Sequence, residues 1–147
     1  MKLLILNGPN INLLGIREPD IYGHETYEQL CGRIQAYADQ KGVSLRLLQS
    51  NHEGALVDAI QAAYFDGFDG IVINPAAYTH TSIALLDAIK GVGLPCVEVH
   101  ISDPDAREDF RKISYVRSAC IDTVKGQGTR GYLVAIDRLI AHLEDTV

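Results

Sequence analysis

The chain has 147 residues, of which 47% are hydrophobic and 22% charged, so we expect a single globular domain covering residues 1–147. Its formal net charge of −6, with no cluster of lysine or arginine, argues against nucleic acid or anionic membranes as partners and favours a small molecule. The three cysteines have no paired spacing, so the sequence indicates neither a zinc site nor a disulfide framework, and a reducing cytoplasm fits best. The first apolar run, Leu3 to Leu6, is too short for a signal peptide or a membrane span.

Five apolar, β-branched runs alternate with helical patterns along the chain, which is typical of a buried parallel sheet. The predicted strands cover Leu3 to Leu6, Val43 to Leu48, Ile71 to Ile73, Cys96 to Val99 and Ala119 to Val124. No linker, repeat or low-complexity stretch interrupts the alternation. We therefore predict an α/β fold, a flavodoxin-like, doubly wound, five-stranded parallel sheet with strand order 2-1-3-4-5.

Capping residues indicate where the helices begin and end. A capping-box pattern from Thr26 to Gln29 opens a helix that ends at Gly42. The second helix is marked by Leu56, Ile60, Ala63 and Tyr64 and closed by Gly67; the third, with Ile83, Leu86 and Ile89, is entered through Thr81 or Ser82. A short helix follows from Pro104 with Asp103 as its cap, and Tyr132, Ile136, Leu139, Ile140 and Leu143 mark the last helix.

The connection from Asn7 to Thr26 is unusually long, and from Asn10 onward it shows neither helical nor strand periodicity. A loop of this length in a small domain is usually functional, and Gly15 and Gly23 could serve as hinges. We therefore expect a lid that closes over a ligand.

The segment from Gly126 to Gly131 matches the dinucleotide fingerprint Gly-x-Gly-x-x-Gly literally. Only sixteen residues follow it, which leaves no room for the second strand and its ribose-binding acid. A turn into the last helix is the better interpretation.

Polar side chains stand where the predicted strands end. Asn74 and His100 follow two of the strands, and His80 comes shortly after Asn74. Open α/β sheets bind ligands outside the carboxyl ends of their strands, so we expect these side chains to meet Arg17 and Tyr22 from the lid. Such a set can move protons and hold an anion without a metal or a cofactor.

The histidines differ in what surrounds them in the sequence. Glu98 precedes His100 by two residues, so the two side chains share a face of the strand, where the carboxylate sets the tautomer of the imidazole and favours its protonated form. His80 lies between Thr79 and Thr81, whose hydroxyls could simply cap a helix. A solvated loop histidine is therefore as good an interpretation of His80 as a functional residue. The remaining histidines have no partner at metal-ligand spacing and are interpreted as structural or solvent-facing: His24, His52 and His142.

A tyrosine needs help to act as a base, because a free phenol with a pKa of about 10 is about 0.1% ionised at pH 7. One guanidinium at about 4 Å supplies roughly the 4 kcal/mol that ionisation requires, at an effective dielectric of about 20. Arg17 is therefore the expected activator of Tyr22, although an ordinary surface loop could also contain both residues.

The chain resembles the type II 3-dehydroquinate dehydratases through a series of short motifs between Leu6 and Tyr132. They are Leu6-Asn7-Gly8-Pro9-Asn10 with Asn12-Leu13-Leu14-Gly15, Arg17-Glu18-Pro19 with Tyr22-Gly23, Gln49-Ser50-Asn51-His52-Glu53-Gly54, Thr79-His80-Thr81-Ser82, Glu98-Val99-His100-Ile101-Ser102, and Arg107-Glu108-Asp109-Phe110-Arg111. The resemblance implies a cofactor-independent hydro-lyase of the shikimate pathway that removes water from 3-dehydroquinate by anti elimination through an enolate, giving 3-dehydroshikimate.

The resemblance also implies a role for each site residue. Tyr22 would take the proton alpha to the ketone, Arg17 would hold Tyr22 ionised and stabilise the transition state, and Asn74 would support the enolate, also through a bound water. His100 would protonate the departing hydroxyl. The implied substrate contacts are Asn74, His80, Asp87, the backbone of Ile101 and Ser102, and Arg111, and the implied assembly is a homododecamer of four trimers in which Asp87 reaches a neighbouring site.

Three residues depart from the pattern of these dehydratases. Ala76 stands where glycine is usual, Asp103 where asparagine is common, and Ile113 where a polar residue or histidine is frequent. If the position of Ala76 requires a positive φ, its methyl group strains the backbone beside Asn74.

Two other functions fit the residues taken without the resemblance. One is a cofactor-free hydrolase or lyase acting on another hydroxylated acid, and the other is a non-catalytic binding module for hydroxylated carboxylic acids. Turnover of 3-dehydroquinate separates all three.

Overall fold

The computed structural model describes residues 1–146 and contains one five-stranded sheet, in the order β2-β1-β3-β4-β5, with every neighbouring pair parallel. The strands are β1 (Lys2–Asn7), β2 (Ser44–Gln49), β3 (Gly70–Asn74), β4 (Cys96–His100) and β5 (Asp122–Lys125). The predicted flavodoxin-like, doubly wound topology is confirmed. That residues 1–147 form a single domain stays a prediction, since Val147 lies outside the described residues.

Five α-helices lie within residues 1–146: α1 (Pro19–Tyr22), α2 (Tyr27–Lys41), α3 (Glu53–Phe65), α4 (Ile83–Val92) and α5 (Gly131–Asp145). The predicted capping box opens α2, because Thr26 Oγ1 accepts the N–H of Gln29 at 3.1 Å and Gln29 Oε1 accepts that of Thr26 at 3.0 Å. Ser82 caps α4, and Asp103 caps the 3₁₀ turn Pro104–Ala106. The turn into α5 is confirmed, with Gly126 and Gly128 both at positive φ.

The sheet is covered on both faces, which explains why its central strands are nearly continuous apolar runs. Along β1, Leu3 and Ile5 enter the core formed with α2 and α5, whereas Leu4 and Leu6 enter the core formed with α3 and α4. Because β1 pairs with both β2 and β3, the carboxyl ends of β1 and β3 meet at the topological switch point, with Asn7 in register with Asn74.

Three details of the predicted elements are wrong. β5 begins at Asp122, not at Ala119, because Ala119 ends the 3₁₀ turn Val116–Ala119. Ala119 and Cys120 are partly buried against the core formed with α3 and α4, and Ile121 is 42% exposed. The inward residues of α4 are Leu85 and Ile89, while Ile83, which opens the helix, is 56% exposed. Tyr64, whose side chain was expected on the core-facing side of α3, is 55% exposed.

The connection after β1 also contains more regular structure than its sequence indicates. It holds the 3₁₀ turn Ile11–Leu13 and the single-turn helix α1. Ile11 and Leu14 are buried and anchor its first half to the core beneath α2. A single turn is too short to produce a helical period, so the sequence pattern could not reveal α1.

No helix found between residues 1 and 146 combines the length and the hydropathy needed to cross a lipid bilayer.

Candidate active site

A pocket opens outside the carboxyl ends of β1, β3 and β4, where the topology predicts a ligand site. All the predicted site residues except Asp87 line it: Arg17, Tyr22, Asn74, His80, His100, Ile101, Ser102 and Arg111. Arg107 is a further lining residue to which the sequence assigned no role. Three guanidinium groups thus face one pocket in a chain of net charge −6, which makes this pocket a site for an anion.

Tyr22 is held by two arginines in different ways. Arg107 Nη1 donates a hydrogen bond to Tyr22 Oη at 2.8 Å, and the same nitrogen lies 3.4 Å from Ser102 Oγ. The guanidinium of Arg17 lies over the face of the ring, with Cζ 4.7 Å from the centroid, and its Nη2 is 3.6 Å from the carboxylate of Glu18. Contact with the phenol oxygen, expected of Arg17, is therefore made by Arg107.

Arg107 was missed because nothing in the sequence relates it to Tyr22. The two residues lie 85 positions apart, and the contact forms because α1 folds back over the segment that follows β4. The motif from Arg107 to Arg111, which the chain shares with the type II dehydratases, could have drawn attention to Arg107. Its spacing, however, does not indicate which residue Arg107 contacts.

His100 ends β4 and is oriented by the buried carboxylate of Glu98. The expectation that the two side chains share a face is confirmed, because His100 Nε2 lies 2.5 Å from Glu98 Oε2. Burial opposes ionisation of Glu98, but hydrogen bonds from His100, Arg117 and Ser114 outweigh it and lower the pKa of Glu98 to about 2. The carboxylate therefore holds a proton on Nε2 of His100 and leaves Nδ1 for the pocket.

Asn74 is fixed in one orientation at the end of β3. Its Nδ2 donates to Tyr132 Oη at 2.9 Å, and its Oδ1 accepts the N–H of Ala76 at 3.1 Å. Tyr132 in turn donates to Asn7 Oδ1 at 2.6 Å. The amide of Asn74 therefore has one N–H left to offer to the pocket, as a donor.

Ala76 has a φ of 53°, in the left-handed region that favours glycine. The position therefore does have the positive φ at which a methyl group is expected to strain the backbone, and its N–H is bonded to the side chain of Asn74. Asn10 and Glu18 also have positive φ, at 69° and 40°. Backbone of this kind is retained where the surrounding structure enforces it. Asn10 and Ala76 line the pocket, and Glu18 lies in the connection that is predicted to act as a lid.

His80 and Arg111 complete the far wall of the pocket. His80 Nδ1 lies 2.7 Å from the carbonyl oxygen of Ile113, so Nδ1 carries the proton and Nε2 is an acceptor in the neutral ring. Burial lowers the pKa of His80 and favours this neutral form. Arg111 Nε donates to the carboxylate of Glu108, which orients its guanidinium.

Asp87 is the predicted site residue that the fold places elsewhere. It lies on the outer face of α4, in a separate groove between α3 and α4 that also contains the exposed rings of Tyr64 and Phe65. Its role at a neighbouring site stays a prediction. Within the part of the chain that the structure describes, no three His, Cys, Asp or Glu side chains come together as a metal site would require.

Comparisons with known proteins agree with this geometry. The sequence model of the family described as Dehydroquinase class II matches residues 1–140. The 3-dehydroquinate dehydratase of Clostridium beijerinckii is 49% identical over 139 residues, covering 95% of each chain. That of Corynebacterium glutamicum is 52% identical over 143 residues, covering 97% of each. The crystal structure of type II dehydroquinase from Butyrivibrio crossotus matches with a TM-score of 0.94 at 52% identity, covering 95% of this chain and 97% of that one.

Proposed function

The chain belongs to the class II dehydroquinase family, and from that premise we propose that it removes water from 3-dehydroquinate with Tyr22 as the base and His100 as the acid. It is a hydro-lyase of the type II class, and its product, 3-dehydroshikimate, leads through the shikimate pathway to chorismate and the aromatic amino acids. The observation that carries the assignment of roles is the pair of guanidinium groups on Tyr22, in the same pocket as His100.

The first step is removal of the proton alpha to the ketone by the phenolate of Tyr22. The hydrogen bond from Arg107 and the positive charge of Arg17 over the ring stabilise that phenolate. The developing enolate oxygen accepts a hydrogen bond from the free N–H of Asn74, directly or through a water. Tyr132, by accepting the other N–H, keeps the amide oriented for this contact.

The second step is departure of the hydroxyl, protonated by His100. Because Nε2 already donates to Glu98, the proton for the hydroxyl comes from Nδ1, so His100 must enter the step as an imidazolium. Glu98, which stays ionised, stabilises that cation. The phenol belongs to the lid and the imidazole to the sheet, so closure of the lid brings base and acid together.

The substrate contacts proposed are the backbone N–H groups of Ile101 and Ser102 for the carboxylate, with the guanidinium of Arg107 next to Ser102. Arg111 binds a ring hydroxyl, and the acceptor Nε2 of His80 binds another.

The assembly proposed is a cytoplasmic homododecamer of four trimers. It would cover the groove between α3 and α4, where Phe65 is 81% exposed, and would bring Asp87 to the pocket of a neighbouring subunit. Light scattering of the purified protein measures the mass directly, and a fully active monomer would remove both the assembly and the shared role of Asp87.

The function is tested by adding 3-dehydroquinate to the purified protein and following the absorbance of the conjugated enone product. Tyr22→Phe should lower kcat by at least about a hundredfold with little change in KM, because it removes the base and keeps the ring. Tyr37→Phe is the matched control, since Tyr37 is a tyrosine on α2 that bonds Asp137 away from the pocket. Binding of dehydroquinate without turnover by the wild-type chain would favour a binding module instead.

A further inference from the structure

Both oxygens of the Glu98 carboxylate accept hydrogen bonds from side chains. Oε2 accepts hydrogen bonds from His100 at 2.5 Å and from Ser114 Oγ at 2.7 Å. Oε1 accepts from Arg117 Nε at 3.0 Å and from Thr123 Oγ1 at 3.1 Å, and Arg117 Nη2 makes a longer contact of 3.5 Å with Oε2. Arg117 is the one lysine or arginine of residues 1–146 within ion-pair distance of this buried carboxylate.

We infer that Arg117 is a positioning residue for the acid of the reaction: by binding the carboxylate of Glu98, mainly through Oε1, it sets how strongly Oε2 holds His100 as an imidazolium. This inference rests on the proposed role of His100. Arg117 reaches the pocket through Glu98, and it is not among the residues that line the pocket.

The direction of the effect follows from the charges. An unopposed carboxylate at 2.5 Å stabilises the imidazolium strongly, which would make it a reluctant proton donor. The guanidinium of Arg117 offsets part of the negative charge on Glu98, so His100 releases its Nδ1 proton more readily when the hydroxyl departs. At the same time Arg117 helps to keep Glu98 ionised, which preserves the orientation of the ring.

Other charged groups surround the pair, and none of them replaces Arg117. The pair Glu98 and His100 is faced from the pocket side by His80, Arg107 and Arg111 and, from the predicted lid, by Arg17 and Tyr22. On the side of Arg117 lie Cys96, Cys120 and Asp105. Of these, Arg107 bonds Tyr22, Arg111 bonds Glu108 and Arg17 pairs with Glu18. Substitution of Arg117 leaves these contacts in place.

The test is the pH dependence of kcat for the wild type, Arg117→Gln and Arg117→Lys, with 3-dehydroquinate as substrate. The Arg117 side chain is 36% exposed, so solvent screens part of its charge and the effect is moderate. In Arg117→Gln we expect the alkaline limb of the kcat profile to move upward by about half a pH unit, which is about a threefold change in the proton concentration at its midpoint. We also expect a lower kcat at neutral pH and an unchanged KM. Arg117→Lys, which keeps the charge, should restore the wild-type limb.

Arg46→Gln is the matched control, because Arg46 is 39% exposed and pairs with Asp66 at 2.8 Å on the edge strand β2. It should lower stability without moving the limb. If Arg117→Gln moves the limb no further than Arg46→Gln, Arg117 is merely structural and the inference is overturned.

If Arg117→Gln does not fold, Thr123→Val removes the other donor to Oε1 and must move the limb in the same direction; an unmoved limb overturns the inference. Failure of the wild type to convert 3-dehydroquinate would instead refute the proposed function.

Discussion

Replacement of Glu98 by glutamine measures what the buried carboxylate contributes to the fold. Burial disfavours its ionised form, yet hydrogen bonds from His100, Arg117 and Ser114 lower the pKa of Glu98 from the ordinary 4.5 to about 2. At about 1.4 kcal/mol per pKa unit, this difference amounts to about 3 kcal/mol of stability. Because the pKa is depressed in the folded state, the contribution is present above the unfolded pKa and is lost as the pH falls through the folded pKa.

The substituted amide cannot satisfy all the donors of Glu98. Arg117 can only donate, so the amide must turn its carbonyl oxygen toward Arg117 and its NH₂ group toward His100, whose ring then has to change tautomer. We therefore expect Glu98→Gln to have a free energy of unfolding lower than that of wild type by up to about 3 kcal/mol at pH 7. This difference in unfolding free energy should become smaller below about pH 5.

The assay is urea unfolding followed by circular dichroism, at a series of pH values from neutral down to the lowest at which both proteins remain folded. Other carboxylates titrate in both proteins, so the difference between the two curves isolates Glu98. Glu144→Gln, at an exposed position near the end of α5, serves as the control for loss of a charge. If the difference in unfolding free energy between wild type and Glu98→Gln stays constant with pH, the depressed pKa of Glu98 contributes nothing to stability.

Three further predictions concern the pocket and its lid. Arg107→Gln should lower kcat by at least about tenfold, because it removes the hydrogen bond to the oxygen of Tyr22, and an unchanged kcat would assign activation of the base to Arg17 alone. Ala76→Val should destabilise the fold by at least about 1 kcal/mol in urea unfolding while Ala76→Gly does not, because a β-branched residue tolerates a positive φ least; equal stability of all three would contradict the strain. Trypsin should cleave after Arg17 in the free protein and more slowly with a substrate-like inhibitor bound, and absence of protection would reduce the lid to a connector.

The sheet could be predicted because its evidence is local and repeated. The strands β3 and β4 are buried along their whole length, as is β1 from Leu3 onward, so they consist mostly of apolar residues. Thr26 and Gln29 mark the start of α2 by a pair of side-chain hydrogen bonds that lies within four residues of sequence. The pair Glu98 and His100 was accessible for the same reason, since a spacing of two places both side chains on one face of a strand.

The remaining features depend on contacts between distant parts of the chain. The hydrogen bond of Arg107 to Tyr22 and the two bonds of Tyr132 to Asn7 and Asn74 join separate elements, so no sequence period reveals them. The run before β5 was misread because Ala119 and Cys120, at the end of a 3₁₀ turn, pack against the core and so give the same apolar pattern as a strand.

The bond between Arg107 and Tyr22 joins the predicted lid to the body of the domain, and this has a consequence for the turnover cycle. Each round of the proposed reaction leaves Tyr22 protonated and His100 one proton short, so a proton must return from one to the other before the next substrate can react. A neutral phenol accepts a weaker hydrogen bond from a guanidinium than a phenolate does, so we expect this contact to weaken once the reaction is complete. Opening would then release the product and admit the water that carries the proton back, and the pace of product release and the resetting of the acid–base pair would be linked through this one contact.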